Sequence, residues 1–219
     1  MKPRFSKKRN AAMTLVEVLV IIAVLAVMFA LIDFGPSQRG KRKTQWIICI
    51  NNLKQIGLAY RIWAGDNNDK YPMQVSTTNG GTMELVADGK NVWRNFLVMS
   101  NELSTPKILF CPADAGRICA TNFSNDLKDK ISYFFGVDAN PKDPQMLLSG
   151  DDNFAISGIP VKSGLLEISS NTPIAWTSAR HKFAGNIGLA DGSVQQVSNS
   201  ELTNSLQPTG SATIRLAIP

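Results

Sequence analysis

The pattern of apolar and polar positions divides the chain into three parts. Residues 13–34 are almost uniformly apolar, and Val18 to Ile32 holds no charge, Gly or Pro. Residues 35–64 instead repeat apolar side chains at spacings of three and four, which is typical of an amphipathic helix. From residue 65 onward, short apolar runs alternate with turn-forming residues, which predicts strands and a few short helices. The predicted short helices are at 91–103 and 199–206. The predicted strands are at 107–111, 131–137, 145–149, 173–178, 185–190, 193–198 and 212–218. We therefore expect a helical N-terminal part followed by an α+β head.

The uniform run at 13–34 has the length and composition of a membrane-spanning helix. About 20 apolar residues cross a bilayer, and a helix on a soluble core would show a polar face that this run lacks. A secretory signal peptide is a second interpretation, because a basic segment precedes the run. The run is long for a signal peptide, and no small-x-small cleavage site follows it. We therefore favour a transmembrane helix.

Positive charge is concentrated on both sides of this run. The chain of 219 residues has a net charge of +6, with five basic residues in 1–12 and four more in 39–43. The remainder is close to neutral. Basic flanks around an apolar run are typical of a membrane segment, whereas a nucleic-acid-binding protein needs a basic face on its folded body. We expect no nucleic acid among the partners.

Glu17 interrupts the start of the apolar run. A carboxylate in an apolar environment usually has a partner and a role. A cut between Ala12 and Met13 would create an α-ammonium group at Met13, about 6 Å from Glu17 along the helix axis. In a neighbouring copy displaced by one turn, the ammonium group would meet this carboxylate. Glu17 would then set the register of a helical polymer.

These N-terminal features together resemble a known signature. The basic segment Lys7–Arg9, followed by Met13–Val20, resembles the start of type IV prepilins and type II secretion pseudopilins. The resemblance implies that prepilin peptidase removes a short leader and that the new first residue is N-methylated. Carried over, the scissile bond is Ala12–Met13, Met13 is methylated and Glu17 acts in assembly. The chain departs from the family at the cut, where Gly and then Phe are usual.

The resemblance continues into the head. His181 and Asp191-Gly192 have the spacing His-x9-Asp-Gly, which resembles a C-terminal motif of pilin-like proteins abundant in planctomycete- and verrucomicrobium-type bacteria; Asn52–Ala59 and Cys111–Asp114 match as well. The implied fold is α+β and pilin-like: a long N-terminal α-helix, membrane-spanning in its first half, packed on a small antiparallel β-sheet. The implied parts are a leader at 1–12, a transmembrane and polymerisation helix at 13–34, an amphipathic stalk helix at 35–64 and a globular head at 65–219.

The function implied by the resemblance is structural. The chain would be a pilin or pseudopilin subunit, not an enzyme, that assembles into a type II secretion pseudopilus or a type IV pilus-like filament. Its partners would be prepilin peptidase, copies of itself and other pilin-like subunits, the assembly platform and the membrane. It would cross the inner membrane once, with its head in the periplasm. The alternative is a membrane-tethered periplasmic binding or hydrolytic domain that never polymerises, which predicts a ligand near His181 or Asp66.

The His181 and Asp191 motif also has a purely structural interpretation. Asp191-Gly192 between two apolar runs predicts a two-residue type I′ turn, with Leu189 opposite Val194. A His–carboxylate pair can orient a base, but no nucleophile-elbow motif accompanies it. One histidine alone also does not make a zinc site. We therefore expect no catalytic residue and no metal, with His181 hydrogen-bonded across the hairpin and Asp191 shaping the turn.

The cysteines leave several arrangements open. Cys49, Cys111 and Cys119 allow three disulfide pairings, each with one free thiol, or all three are reduced and buried. In the resembled family, a Cys before Asn-Leu-Lys-Gln and a Cys before Pro recur together, which implies the pairing Cys49–Cys111. Such a disulfide would clamp the stalk helix to the sheet.

An oxygen-rich segment follows the stalk. Asp66, Asn68 and Asp69 imitate the first half of a calcium-binding loop, but the Gly and the closing Glu of that loop do not follow. We expect these residues to end the helix and form a turn, and we expect no cofactor. Calcium is the alternative.

Overall fold

The chain divides into two compact units, Met1–Lys41 and Arg42–Pro219. The computed structural model describes residues 13–32, 38–169, 171–205 and 213–219. The expected leader at 1–12, including Ala12 of the expected cleavage site, lies outside the described residues.

The first unit contains helix α1 (Leu15–Ile32). Thr14 caps its N-terminus, because the Thr14 hydroxyl accepts a hydrogen bond of 3.3 Å from the backbone N–H of Glu17. Thr14 and Glu17 have the Thr-x-x-Glu spacing of a capping box. A carboxylate in the first turn is also favoured by the helix dipole. The sequence analysis missed this local role of Glu17.

The predicted membrane-spanning segment is wrong. Among the described residues, no helix combines the length and the apolar character needed to cross a bilayer. The prediction of a single-pass inner-membrane protein with a periplasmic head is contradicted by the same finding.

The predicted single long helix is also wrong. The structure has a second helix, α2 (Gln38–Asp66), and residues 33–37 between α1 and α2 lie outside the described residues. Gly35 and Pro36 fall in this segment, and these two residue types have the lowest helix propensities.

The amphipathic pattern of the stalk is confirmed over the part of α2 in the second unit. Cys49, Leu53, Ile56, Tyr60 and Trp63 are all buried, at spacings of three and four. The helix ends at Asp66, where Asn67 Nδ2 donates to the Trp63 carbonyl at 2.8 Å. Asn68 and Asp69 follow with positive φ, so this oxygen-rich segment makes a turn that ends the helix.

The head contains two antiparallel sheets. The larger has the order β5-β9-β1-β2-β7-β8 and the smaller has the order β4-β3-β6. The strands are β1 (Tyr133–Gly136), β2 (Leu147–Asp151), β3 (Phe154–Ile156), β4 (Ile159–Pro160), β5 (Gly164–Ser169), β6 (Ile174–Trp176), β7 (Ala184–Leu189), β8 (Val194–Ser198) and β9 (Thr213–Ile218). The prediction of one small sheet is therefore wrong. It missed β3, β4 and β5, whose runs are short or interrupted by Gly and polar residues.

Short helices complete the head. They are α3 (Met83–Ala87), α4 (Arg94–Leu97), α5 (Ser100–Leu103) and α6 (Asn199–Ser205). The single helix predicted over 91–103 is thus two short ones. The predicted strand at 107–111 is largely a 3₁₀ helix, Pro106–Leu109, because Pro at its first turn has the backbone φ that a helix start requires.

Strand β1 separates two hydrophobic cores. Successive side chains of a strand point to opposite faces, so Tyr133 and Phe135 pack with α2 in one core while Phe134 packs in the other. The Phe134 ring meets Phe154 edge-to-face, with ring centroids 5.8 Å apart. Strands β2 and β7 lie beside β1 in the same sheet, and they carry residues of the site described next.

Candidate functional site

His181 lies in a strained turn that precedes β7. His181, Lys182 and Phe183 have φ values of 49°, 52° and 61°. Each non-glycine residue in this left-handed region costs about 1–2 kcal/mol. Asn153 holds the turn by donating from Nδ2 to the carbonyls of Arg180 at 3.3 Å and Ala184 at 3.4 Å. The turn places the imidazole inside the head, where the His181 side chain is 2% exposed.

Four side chains converge at this imidazole. Cys49 comes from α2, Cys111 follows the 3₁₀ helix at 106–109, and Asp151 ends β2. One ligand atom from each of these residues and from His181 lies within 4.8 Å of the other three. The Cys111 sulfur is 3.4 Å from His181 Nε2, and Asp151 Oδ2 is 3.7 Å from the same nitrogen. Cys49, Cys111 and Asp151 are completely buried.

A second layer of contacts orients the carboxylate and the imidazole. Asp151 Oδ2 accepts hydrogen bonds from the backbone N–H of Asn186 at 2.8 Å and from its Nδ2 at 2.9 Å. Asn186 Oδ1 in turn accepts from Trp46 Nε1 at 2.6 Å. The Trp46 ring stacks on His181 with centroids 5.2 Å apart. Hydrogen bonds of this kind fix the direction of side chains that coordinate a metal.

The buried cluster favours protonated groups when no metal is bound. Burial raises the pKa of Asp151 above its ordinary value, because the charged form loses its hydration. The hydrogen bond with Cys49, together with burial, raises the pKa of the Cys111 thiol. Ionisation of either group is therefore more costly inside the head than in water.

One atom of the cluster lacks a partner. Asp151 Oδ1 is buried and accepts no hydrogen bond from the described residues. A buried carboxylate oxygen without a partner costs free energy, so this atom calls for an explanation in the chemistry of the site.

A buried ion-pair network borders the cluster. Asp152 accepts from Arg117 at 2.7 Å and also pairs with Arg180. Asp114 pairs with Arg117 at 2.9 Å and accepts from the Ser132 hydroxyl at 2.9 Å. The four charges balance, and Arg180 is joined to His181 by the peptide bond. The network thus anchors the strained turn to the rest of the head.

The hairpin motif is separate from the cluster. Asp191 Oδ1 accepts from the backbone N–H of Ser193 at 2.7 Å, while His181 contacts Cys111 and Asp151 instead of reaching across the hairpin. The predicted two-residue turn is wrong by one residue, since Gly188 rather than Leu189 pairs with Val194. The loop is a three-residue turn closed by a bond from Gly192 N to the Leu189 carbonyl at 2.9 Å, with Gly192 at φ 86°. This is the common type I turn followed by a left-handed residue.

The turn at Asp191 packs against α2. A Cβ added to Gly57 would lie 3.5 Å from Cα of Gly192, and Arg61 donates from Nη1 to the Asp191 carbonyl at 2.7 Å. The segments 52–59 and 191–192, both quoted for the resemblance, are therefore neighbours in the structure.

Three of the four cluster residues, Cys49, Cys111 and His181, stand out in the sequence, but the sequence does not predict that they converge. Cys49 and Cys111 were paired as a disulfide, whereas the structure has both as free thiols; that pairing stays a prediction. Asp151 was missed. Its signal was the pair Asp151-Asp152 one residue beyond the predicted strand at 145–149, a position at which a buried carboxylate needs a partner.

Comparison of the chain with protein-family models, with curated proteins and with solved structures finds no match.

Proposed function

We propose that the chain is a structural subunit of a pilin-like filament, in which α1 packs against the α1 helices of other copies. The observation that carries this proposal is the exposure of α1. Twelve of its large apolar side chains are at least 41% exposed. Five consecutive residues, Val18–Ile22, are among them, and five residues span more than the full circumference of a helix with 3.6 residues per turn.

An apolar surface on every side of a helix must be covered by other apolar groups. Identical helices from neighbouring copies supply such groups in a filament core, and each copy brings the same surface. The head is then displayed on the outside of the filament, and its compact cores give it a fold of its own. A two-stranded coiled coil covers only one seam of each helix. It would therefore leave most of the apolar surface of α1 uncovered.

Glu17 gives the proposed filament its register. Processing before Met13 would place a new α-ammonium group in the first turn, next to the capping residue Thr14. The Glu17 carboxylate of one copy then pairs with the ammonium group of the next. The Glu17 backbone N–H bonds the Thr14 hydroxyl, and the proposed role in the register belongs to the Glu17 side chain.

The test compares Glu17→Gln with Glu17→Ala and with Asp88→Ala in cells that make the protein. Gln retains the size and the capping-box capacity of Glu but not its charge. Asp88→Ala is the matched control, because it removes an exposed carboxylate from the head. We expect sheared filaments to disappear in both Glu17 variants and to persist in Asp88→Ala, with the head folded in all three. Filaments at the normal level in Glu17→Gln would contradict the charge-pair register.

A further inference from the structure

We propose that Cys49, Cys111, Asp151 and His181 together bind one Zn²⁺ ion, which fastens α2 to the six-stranded sheet. The proposal concerns the head alone and does not depend on filament assembly. It rests on four donor atoms brought together from four distant parts of the chain, and on a buried oxygen that accepts no hydrogen bond from the described residues.

The spacing of the donor atoms fits a tetrahedral ion. Zinc bonds of about 2.0–2.3 Å place neighbouring ligand atoms about 3.3–3.8 Å apart. The separations of His181 Nε2 from the Cys111 sulfur, 3.4 Å, and from Asp151 Oδ2, 3.7 Å, fall in this range. The remaining separations are at most 4.8 Å, so closing the cluster around an ion needs movements of about 1 Å.

The donor set selects zinc among the common ions. Two thiolates with one imidazole and one carboxylate suit a borderline-soft tetrahedral cation, whereas calcium and magnesium take oxygen ligands. The ion carries two positive charges against three negative ligands, and the Arg180 guanidinium next to the cluster is attracted to Asp151. One negative charge therefore remains on the zinc site, because Asp152 and Asp114 already pair with the Arg180 guanidinium.

The partner-free carboxylate oxygen is accounted for by the same ion. Asp151 Oδ2 is held by Asn186, and Oδ1 accepts no hydrogen bond from the described residues. A zinc ion bound to this carboxylate would neutralise part of its charge, which lowers the cost of leaving Oδ1 without a hydrogen bond. The Asn186 and Trp46 contacts supply the outer layer that metal-binding carboxylates and imidazoles usually have.

The burial of the ligands indicates a structural rather than a catalytic ion. All four ligands come from the protein, and the most exposed, the His181 side chain, is only 2% exposed. A catalytic zinc keeps one position open to water or substrate, and a structural zinc has four protein ligands. On binding, the two thiols, the Asp151 carboxyl group and the His181 ring nitrogen release to the solvent any protons on their ligand atoms, and bonds to zinc replace the bonds to hydrogen.

The experiment measures zinc in the full chain, purified without a histidine tag and with a reductant present. Zinc per chain is determined by elemental analysis and by native mass spectrometry for the unsubstituted protein, Cys49→Ser, Cys111→Ser and Asp151→Asn. Cys119→Ser is the matched control, because Cys119 is the third cysteine and lies outside the cluster. The protein is also loaded with Co²⁺, whose absorption spectrum reports tetrahedral geometry and thiolate bonds without any substitution.

We expect one zinc per chain in the unsubstituted protein and in Cys119→Ser, at least a tenfold lower affinity in the cluster variants, and a tetrahedral cobalt spectrum with thiolate charge-transfer bands. Removal of zinc by a chelator should lower the unfolding temperature. A folded, reduced protein that takes up neither zinc nor cobalt would overturn the proposal. So would unchanged zinc content in both cysteine variants, or a mass lower by two hydrogens that maps to a Cys49–Cys111 disulfide in the protein from its native cells.

Discussion

The sulfur of Cys111 lies 3.4 Å from Nε2 of His181, although seventy residues separate them in the chain. The contact joins the loop after the 3₁₀ helix at 106–109 to the strained turn before β7. Next to it, Asp114 and Arg180 make a second link between the same two segments at 3.5 Å. The segments that contain Cys111 and Asp114 and that contain Arg180 and His181 are separate in the sequence and thus form one buried polar region. We expect the stability of the head to depend on the contacts in this region.

Substitution of Arg180 should destabilise the head strongly. In Arg180→Met, the carboxylates of Asp152 and Asp114 lose a buried cationic partner. Removing one member of a buried ion pair costs about 3–5 kcal/mol, because the remaining charge is left uncompensated. The measurement is the free energy of unfolding by urea.

The matched control is Arg215→Met. Arg215 pairs with Asp138 at the surface, where its side chain is 46% exposed, and such pairs contribute less than about 1 kcal/mol. Equal losses of stability in the two variants would show that the Arg180 network is not the stronger one.

Tyr60→Phe should lower the stability of the head, because it removes a hydrogen bond in the core. Thr82 donates to Asn95 Oδ1 at 2.7 Å, and Asn95 Nδ2 donates to the Tyr60 hydroxyl, all in buried positions. Removing the hydroxyl leaves a buried amide donor without an acceptor, which costs about 1–3 kcal/mol. Thermal unfolding would measure the loss, and an unchanged unfolding temperature would mean that Asn95 finds another acceptor.

Gly185→Ala should disturb the second core. A Cβ at residue 185 would lie 2.5 Å from the buried Trp176 ring, and overpacking of a core costs about 1–3 kcal/mol. Gly65→Ala, near the end of α2, is the control, since its Cβ would have nothing within 4 Å and Ala is the better helix former. We expect the first variant to unfold at lower urea than the unsubstituted protein and the second at equal or higher urea. The reverse order would contradict the described packing.

Glu84 should make the head sensitive to acid. Its carboxylate accepts from the Ser76 hydroxyl at 2.7 Å and from the backbone N–H of Thr77 at 2.8 Å, and these bonds lower its pKa to about 2. An unfolded glutamate has a pKa of about 4.3. The ionised Glu84 carboxylate therefore stabilises the folded head fully above the pKa of the unfolded glutamate, and this stabilisation is lost as the pH falls toward 2.

The variant Glu84→Gln lacks this titration. We expect the stability difference between the unsubstituted protein and Glu84→Gln to be constant at pH 6 and above and to shrink steadily from pH 5 to pH 2. Unfolding midpoints across this range are the measurement. A difference that is independent of pH would mean that the Ser76 and Thr77 bonds do not favour the ionised carboxylate.

The sequence predicted local elements better than their assembly. The spacing of Leu53, Ile56, Tyr60 and Trp63 located the buried face of α2, because helical periodicity is a local property. The strands that contain Phe134, Leu148 and Ile187 were also found from short apolar runs. Strands β3 and β4 were missed because they are short, and β5 was missed because Gly and polar residues interrupt its apolar run. The stability of all three comes from pairing with other segments rather than from their own composition.

The candidate site could be predicted only in part. Cys49, Cys111 and His181 are rare residues and attracted attention individually. Nothing in their spacing indicates a common site, because Asp151 and the other three come from four separate elements that meet only after the sheet has formed. The error of one residue at Asp191 has a similar origin, since the sequence Asp-Gly suits both a two-residue turn and the three-residue turn that the structure contains.

The most direct test of the filament proposal is the intact mass and N-terminal sequence of the chain recovered from sheared surface filaments. The proposal predicts that the chain is present in this fraction and begins at N-methylated Met13. A chain that is missing from the filaments, or that retains Met1, would contradict it.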